Sequence, residues 1–172
     1  FLLVSADGKI STGDTDEMDV DRDYPQIPGV KEGLKQYYDL ELETDQFSLN
    51  TGRVFAKIGV NQRQDEPKKV PVTFVVVDTE PHLTERGISF LVRKARELII
   101  VTADAAHPAL ALRERFDNLH VLQYDKIDFR DLFSRLKQEF GAERMTIQSG
   151  GTLNTTLVRE GLVDRILLVV AP

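Results

Sequence analysis

Cysteine is absent from the 172 residues. Disulfides, thiolate nucleophiles and cysteine-held metal clusters are therefore excluded within this stretch, and the composition is compatible with a cytosolic protein. Long apolar runs are missing too. The run from Ile166 to Ala171 is far short of the ~20 residues that a membrane-spanning helix needs. Basic charge is outweighed by acidic charge, for a net of −6. A general nucleic-acid binder needs a basic face to displace counterions from phosphates, so that class is set aside. An anionic ligand must instead be held by local groups: backbone amides, helix N-termini and single Arg or Lys residues. Repeats and low-complexity tracts are also lacking. No signal peptide is visible, and the first residue is Phe1 rather than a methionine.

Further absences concern chemistry. His82, His107 and His120 are scattered without the paired spacing of a metal site, and His107 reads as a turn residue ahead of Pro108. No serine, histidine and acid stand in a recognisable nucleophile motif. The first strand is not followed by G-x-G-x-x-G, which argues against a Rossmann dehydrogenase. The run "DTDEMDVDRD", Asp14 to Asp23, packs six acids into ten residues. It lacks the glycine and terminal glutamate of a calcium-binding loop and reads as a solvated acidic segment.

What is present is an alternation. Short β-branched runs at 2–5, 46–50, 72–77, 98–102, 119–123, 144–148 and 166–170 predict strands. Most are nearly continuous apolar stretches, the pattern of strands buried on both faces. Amphipathic runs fall between them at 30–41, 54–58, 87–96, from Pro108 onward, and at 129–140. The last is the clearest: Phe129, Leu132, Phe133, Leu136 and Phe140 share one face, Asp128 is placed to cap it and Gly141 to stop it. On the 30–41 helix, Val30, Leu34 and Tyr37 form an apolar face. This βα order predicts an α/β fold of three layers, with a mainly parallel central sheet flanked by helices, and 172 residues suit one domain.

Ligands of such sheets collect beyond the carboxyl ends of the strands. There the chain carries Ala6-Asp7-Gly8-Lys9, Asn50-Thr51-Gly52-Arg53, Asp78-Thr79, Thr102-Ala103-Asp104 and Ser149-Gly150-Gly151-Thr152. The adjacent glycines Gly150 and Gly151 separate a strand-like run from a helix predicted over 152–160 and closed by Gly161. Glycines at such a turn let backbone N–H groups approach a ligand, because no Cβ intervenes. Asn50-Thr51-Gly52-Arg53 supplies a glycine, a hydroxyl and a guanidinium, and Asp78-Thr79 can bind a ribose or its phosphate. Three such ends in one sheet are able to hold an extended dinucleotide.

The ordered set "SADGKI", "NTGRV", "VVVDT" and "QSGGTLNTTLVREGLVDRILLVVAP" resembles the riboflavin-biosynthesis reductases of the RibD C-terminal type, over essentially the whole chain. The resemblance implies a dihydrofolate-reductase-like fold and one domain over residues 1–172 whose two ends are incomplete, since the family's closing strands lie beyond Pro172. It implies a cytoplasmic homodimer with NADPH as hydride donor and no metal, nucleic acid or membrane. Ser149, Gly150, Gly151, Thr152 and Leu153 would face the cofactor's diphosphate and nicotinamide half. Asn50, Thr51, Gly52 and Arg53 would face the cofactor as well, and Asp78 and Thr79 its adenosine and 2′-phosphate. Asp7 and Lys9 would border the substrate, Asp7 as polar contact and Lys9 as proton donor or anion anchor.

The family's substrate is an aminopyrimidine whose ribosyl group opens, accepts hydride and becomes ribityl. The activity implied is that of a 5-amino-6-(5-phosphoribosylamino)uracil reductase. Three departures keep alternatives open. Gln148 stands where the family carries a glutamate, Arg165 where it carries an acid, and Ala56-Lys57-Ile58-Gly59-Val60 where it carries Asp-Asp-Pro. A reductase of another small carbonyl or imine compound, and a nucleotide-binding module without catalysis, remain as rivals.

Overall fold

A computed structural model describes residues 1–10, 23–41 and 43–171. The acidic run from Asp14 onward lies, except for Asp23, outside the described residues. The chain forms two compact units: Asp45–Ser149, and Phe1–Thr44 with Gly150–Pro172.

The larger unit is built on five strands, β2 (Phe47–Thr51), β3 (Thr73–Val77), β4 (Leu98–Thr102), β5 (Leu119–Gln123) and β6 (Thr146–Ile147). Their order is β5-β4-β3-β2-β6, and every pair is parallel. β4 lies inside this sheet, and all five of its residues are buried. That burial explains why Leu98 to Val101 reads as an unbroken apolar run. Because side chains alternate along a strand, Phe74 and Val76, Leu98 and Ile100, and Leu119 and Val121 share one face. That face packs with residues of three helices: α2 (Gly52–Lys57) through Phe55, α3 (Glu85–Lys94) through Ile88 and Leu91, and α4 (Pro108–Leu112) through Ala109 and Leu112. The opposite face holds His120, whose ring meets Phe140 of α5 (Phe129–Phe140) edge-on at 5.1 Å. Helices thus flank this parallel sheet on both sides.

Local signals set the helix ends. Asp128 accepts from the N–H groups of Arg130 and Asp131, and Gly141 stops α5 at φ 71°, a conformation glycine adopts at no steric cost. Thr84 accepts from Gly87 N–H, so α3 starts two residues earlier than its apolar pattern predicts. Its end is also earlier, because Arg96 N–H is taken by Val72 O at 2.9 Å. β6 is two residues long rather than five; it pairs only with Ser48 and Leu49, while Arg144 turns its guanidinium to Asp45 at 3.1 Å.

The smaller unit pairs β1 (Leu2–Ser5) with β7 (Leu168–Ala171) in parallel, Leu2 opposite Leu168 and Ser5 opposite Ala171. Helix α1 (Val30–Glu41) buries Val30, Leu34 and Tyr37 with Leu3 and Tyr24, the apolar face its sequence predicts. Helix α6 (Gly151–Arg159) begins at the glycine pair.

Candidate functional site

The winding order of the larger sheet has one reversal. From β2 the chain steps through β3 and β4 to β5, then returns to place β6 on the other side of β2. The crevice between the carboxyl ends of β2 and β6 is therefore where a parallel α/β sheet offers a ligand site. Asn50, Thr51, Gly52 and Arg53 lie at the β2 end and Ser149 just past β6, so the structure brings these five predicted residues to one region.

Side chains on one face of that crevice form a hydrogen-bonded chain. Asn50 Nδ2 donates to Ser48 Oγ at 2.9 Å, and Ser48 Oγ donates to Gln148 Oε1 at 3.0 Å. Ser48 is 3% exposed and Asn50 7%. A polar strip in a sheet whose inner strands β3 and β4 are mostly Val, Leu and Ile is informative, because buried polar groups need partners. Ser48 was missed at the level of sequence. Its signal was the alternation in "FSLNT", apolar at 47 and 49 and polar at 48 and 50.

Thr51 caps α2, its hydroxyl accepting from Val54 N–H at 3.3 Å, which starts the helix at Gly52 rather than Val54. Gly52 itself faces Asp78: an added Cβ would stand 2.2 Å from the carboxyl carbon. This glycine is explained by packing within the protein. Arg53 and Thr79 are exposed.

The sequence places the Asp78 carboxylate among ligand groups, but the side chain is buried, with 1% exposure. Its oxygens accept from the N–H groups of His82 at 3.1 Å and Leu83 at 3.1 Å, and bond the rings of His82 at 3.0 Å and His107 at 3.1 Å. Burial pushes this carboxyl up. The bonds from His107, Leu83 N–H and His82 together outweigh it and leave Asp78 below the ordinary carboxylate range. The tautomer of His107 follows from its partners. Nδ1 accepts from Ala109 N–H at 3.1 Å, so Nε2 carries the proton given to Asp78. His107, expected as a simple turn residue, thus caps α4 and braces the end of β3. Twenty-nine positions separate it from Asp78, and only the parallel β3–β4 register brings the two strand ends together.

In the smaller unit, β1 ends in a tight turn. Gly8 N–H donates to Ser5 O at 2.8 Å and Ser5 N–H to Lys9 O at 2.9 Å, with Gly8 at φ 81°. Asp7 accepts from the Ser5 hydroxyl and lies 3.6 Å from Lys9 Nζ. The Ser5 bond, with Lys9 behind it, holds Asp7 below the ordinary carboxylate range. Asp7 is therefore an anion at neutral pH, suited to accept hydrogen bonds and not to give a proton.

The glycine pair differs from Gly52. Neither Gly150 nor Gly151 has positive φ. Among the described residues, a Cβ on Gly150 would meet nothing within 4 Å, and one on Gly151 would meet Ile10 Cδ1 at 3.5 Å. Neither fold geometry nor packing asks for glycine at 150. Gly150 is the N-cap of α6 with no side-chain cap bond, and Leu153 of its first turn is buried while Thr152 is exposed. Among the described residues, no group of three or more His, Asp or Glu side chains is arranged to hold a metal ion. None of their helices is long and apolar enough to cross a membrane.

Comparison with known proteins gives three results. The family model described as "RibD C-terminal domain" matches residues 1–172. A 2,5-diamino-6-ribosylamino-4(3H)-pyrimidinone 5′-phosphate reductase of Methanothermobacter thermautotrophicus is 28% identical over 178 aligned residues, which cover 98% of this chain and 74% of that protein. The solved structure of Acinetobacter baumannii RibD superposes with a TM-score of 0.62 at 14% identity. It covers 99% of this chain, which spans 44% of that protein's length, and the likeness is one of fold.

Proposed function

Because the chain belongs to the RibD C-terminal domain family, we propose that it is an NADPH-dependent reductase acting on a phosphoribosylamino-pyrimidine. What carries this reading is the family match along the whole chain. The relative's printed name supports a reductase and names the substrate class. The fold, α/β with parallel strands and flanking helices, is the dihydrofolate-reductase-like one.

The residues present fit a dinucleotide. At Gly150 the space that a Cβ would fill is open, and backbone amides at the start of α6 suit a diphosphate. Gly150, Gly151, Thr152 and Leu153 are assigned to that group. At the β2–β6 switch, Asn50, Thr51, Gly52, Arg53 and Ser149 are assigned to the cofactor. Thr79, exposed beyond β3, is assigned to its adenosine end, where Asp78 contributes structure alone.

NADPH, when bound, supplies a hydride. The protein's part is to orient donor and acceptor, keep water out and handle the proton. The ring-opened ribosylamine is a C=N group; it gains hydride at carbon and a proton at nitrogen. Asp7, held as an anion by Ser5, is assigned to a substrate N–H or O–H donor, and Lys9 to proton delivery or to an anionic group of the substrate. Exposed Leu168 and Val170 on β7 support the homodimer that the family resemblance implies, and a cytoplasmic setting fits a reaction fed by NADPH.

The test is NADPH oxidation followed by absorbance with two substrates, the diaminopyrimidinone named for the relative and its uracil counterpart, which carries oxygen in place of the 2-amino group. Turnover of either supports the proposal. Tight NADPH binding with oxidation by neither leaves a nucleotide-binding module, and no binding at all removes the proposal.

A further inference from the structure

The strip Asn50–Ser48–Gln148 has a direction. Ser48 Oγ has one proton, and it is spent on Gln148 Oε1 at 3.0 Å. Ser48 Oγ must therefore be an acceptor toward Asn50, which turns Asn50 Nδ2 inward at 2.9 Å. The Asn50 amide oxygen is then the atom left over, and among the described residues it has no hydrogen-bond partner. Asn50 is 7% exposed, and among the described residues no fully buried side-chain oxygen lacks a partner, so this oxygen lies at the small part of the side chain that opens to solvent. An amide oxygen held at a narrow opening must be given a donor by whatever group covers it, or its desolvation costs free energy. It stands at the carboxyl end of β2, beside the topological switch.

Building on the reductase reading, we propose that Asn50 Oδ1 accepts a hydrogen bond from a neutral N–H or O–H group of a bound ligand, and that Ser48 and Gln148 are positioning residues that fix which end of the amide faces out. The group it reads is not a phosphate. A phosphate has oxygens to offer and would call for the NH2 end, which the strip holds inward. Two sources carry the required chemistry: the carboxamide or ribose hydroxyls of the cofactor, and the amino or hydroxyl groups of the pyrimidine substrate.

Three variants separate the possibilities, with melting temperature as a control for folding. Asn50→Leu removes acceptor and donor. It is expected to raise either the NADPH dissociation constant, read by fluorescence titration, or the KM for the pyrimidine by about five- to a hundredfold. Which constant moves identifies the source. Asn50→Asp keeps an outward oxygen acceptor, and Ser48 can turn its hydroxyl proton toward the inward carboxylate oxygen, so it is expected to lose less than Asn50→Leu. Ser48→Ala is expected to raise the same constant as Asn50→Leu with kcat little changed, a split that a loss of structure alone does not produce.

The inference is overturned if Asn50→Leu, folded as wild type, leaves both constants unmoved. It is equally overturned if Asn50→Asp loses more than Asn50→Leu, the order a phosphate contact dictates. If wild type binds no NADPH and turns over no pyrimidine, the proposed function itself fails and the role of Asn50 goes with it, a result distinct from either of the first two.

Discussion

A Cβ on Gly52 would stand 2.2 Å from both the carboxyl carbon and Oδ1 of Asp78. Cβ atoms do not approach other atoms so closely, so one of the two residues must give way. Asp78 is pinned by His107, His82 and Leu83 N–H, and Gly52 opens α2 directly after β2. Neither moves without breaking bonds that are buried. Gly52→Ala is expected to lose about 3 kcal/mol of stability, a fall in Tm of roughly 6–12 °C for a chain of this size. Thermal unfolding followed by circular dichroism checks it, and an unchanged Tm would show that the β2 and β3 ends are looser than this packing implies.

Gly150 gives the opposite expectation from the same substitution. With φ −73° and ψ 170°, and with open space where the Cβ would go, alanine fits without strain. The poorer N-cap and the reduced freedom of the unfolded chain roughly offset, so stability should stay within about 1 kcal/mol. If the amides of α6 cradle a diphosphate, the new methyl group stands in its path. NADPH affinity should then fall about tenfold or more, a loss of over ~1.4 kcal/mol. Isothermal titration decides: undiminished affinity in Gly150→Ala places the diphosphate elsewhere.

Asp78 makes stability depend on pH in a stated direction. Its folded carboxyl lies below the ordinary range, while in the unfolded chain it titrates near ~3.9. The stabilisation from its ionised form is therefore complete above that unfolded value and is lost as pH falls through the lower, folded one. Asp78→Asn should cost about 2–3 kcal/mol at neutral pH, since an amide cannot accept from His107, His82 and two backbone N–H groups at once. The gap between variant and wild type should narrow below about pH 4. Urea midpoints measured across pH test this, and a gap that is constant with pH would mean that the carboxylate charge contributes nothing.

Much of the fold was legible because its signals are local. The β4 run, the Asp128 cap and the Gly141 stop each act within a few residues, and the strands at 98–102 and 119–123 fall where their apolar runs do. The 30–41 helix buries the face its spacing predicts. What the sequence conceals depends on register. His107 meets Asp78 across β3 and β4, and Gln148 meets Ser48 across β2 and β6; no spacing along the chain encodes either pair. Glycine at 52 and glycine at 150 look alike in sequence, because the letter states only that a side chain is missing. The neighbour occupying that space, a carboxylate at one and nothing within 4 Å at the other, is a property of the fold.

Asp7 and Lys9 offer the most direct test of chemistry. Both side chains are more than half exposed and are joined by one 3.6 Å contact, so neither matters much to stability. Asp7→Ala is expected to leave Tm nearly unchanged and to lower kcat/KM about tenfold or more through loss of a substrate contact. Because the Ser5 hydroxyl and then Lys9 keep Asp7 ionised, its titration lies below the ordinary carboxylate range. A fall in rate on the acidic side at higher pH must come from another group and should persist in Asp7→Asn. Lys9→Met separates the two roles given to the lysine. A lowered kcat marks proton delivery, whereas a raised KM with kcat intact marks an anchor for a substrate anion. Steady-state rates across pH for the three variants distinguish these outcomes, and wild-type turnover in Asp7→Ala removes Asp7 from the mechanism.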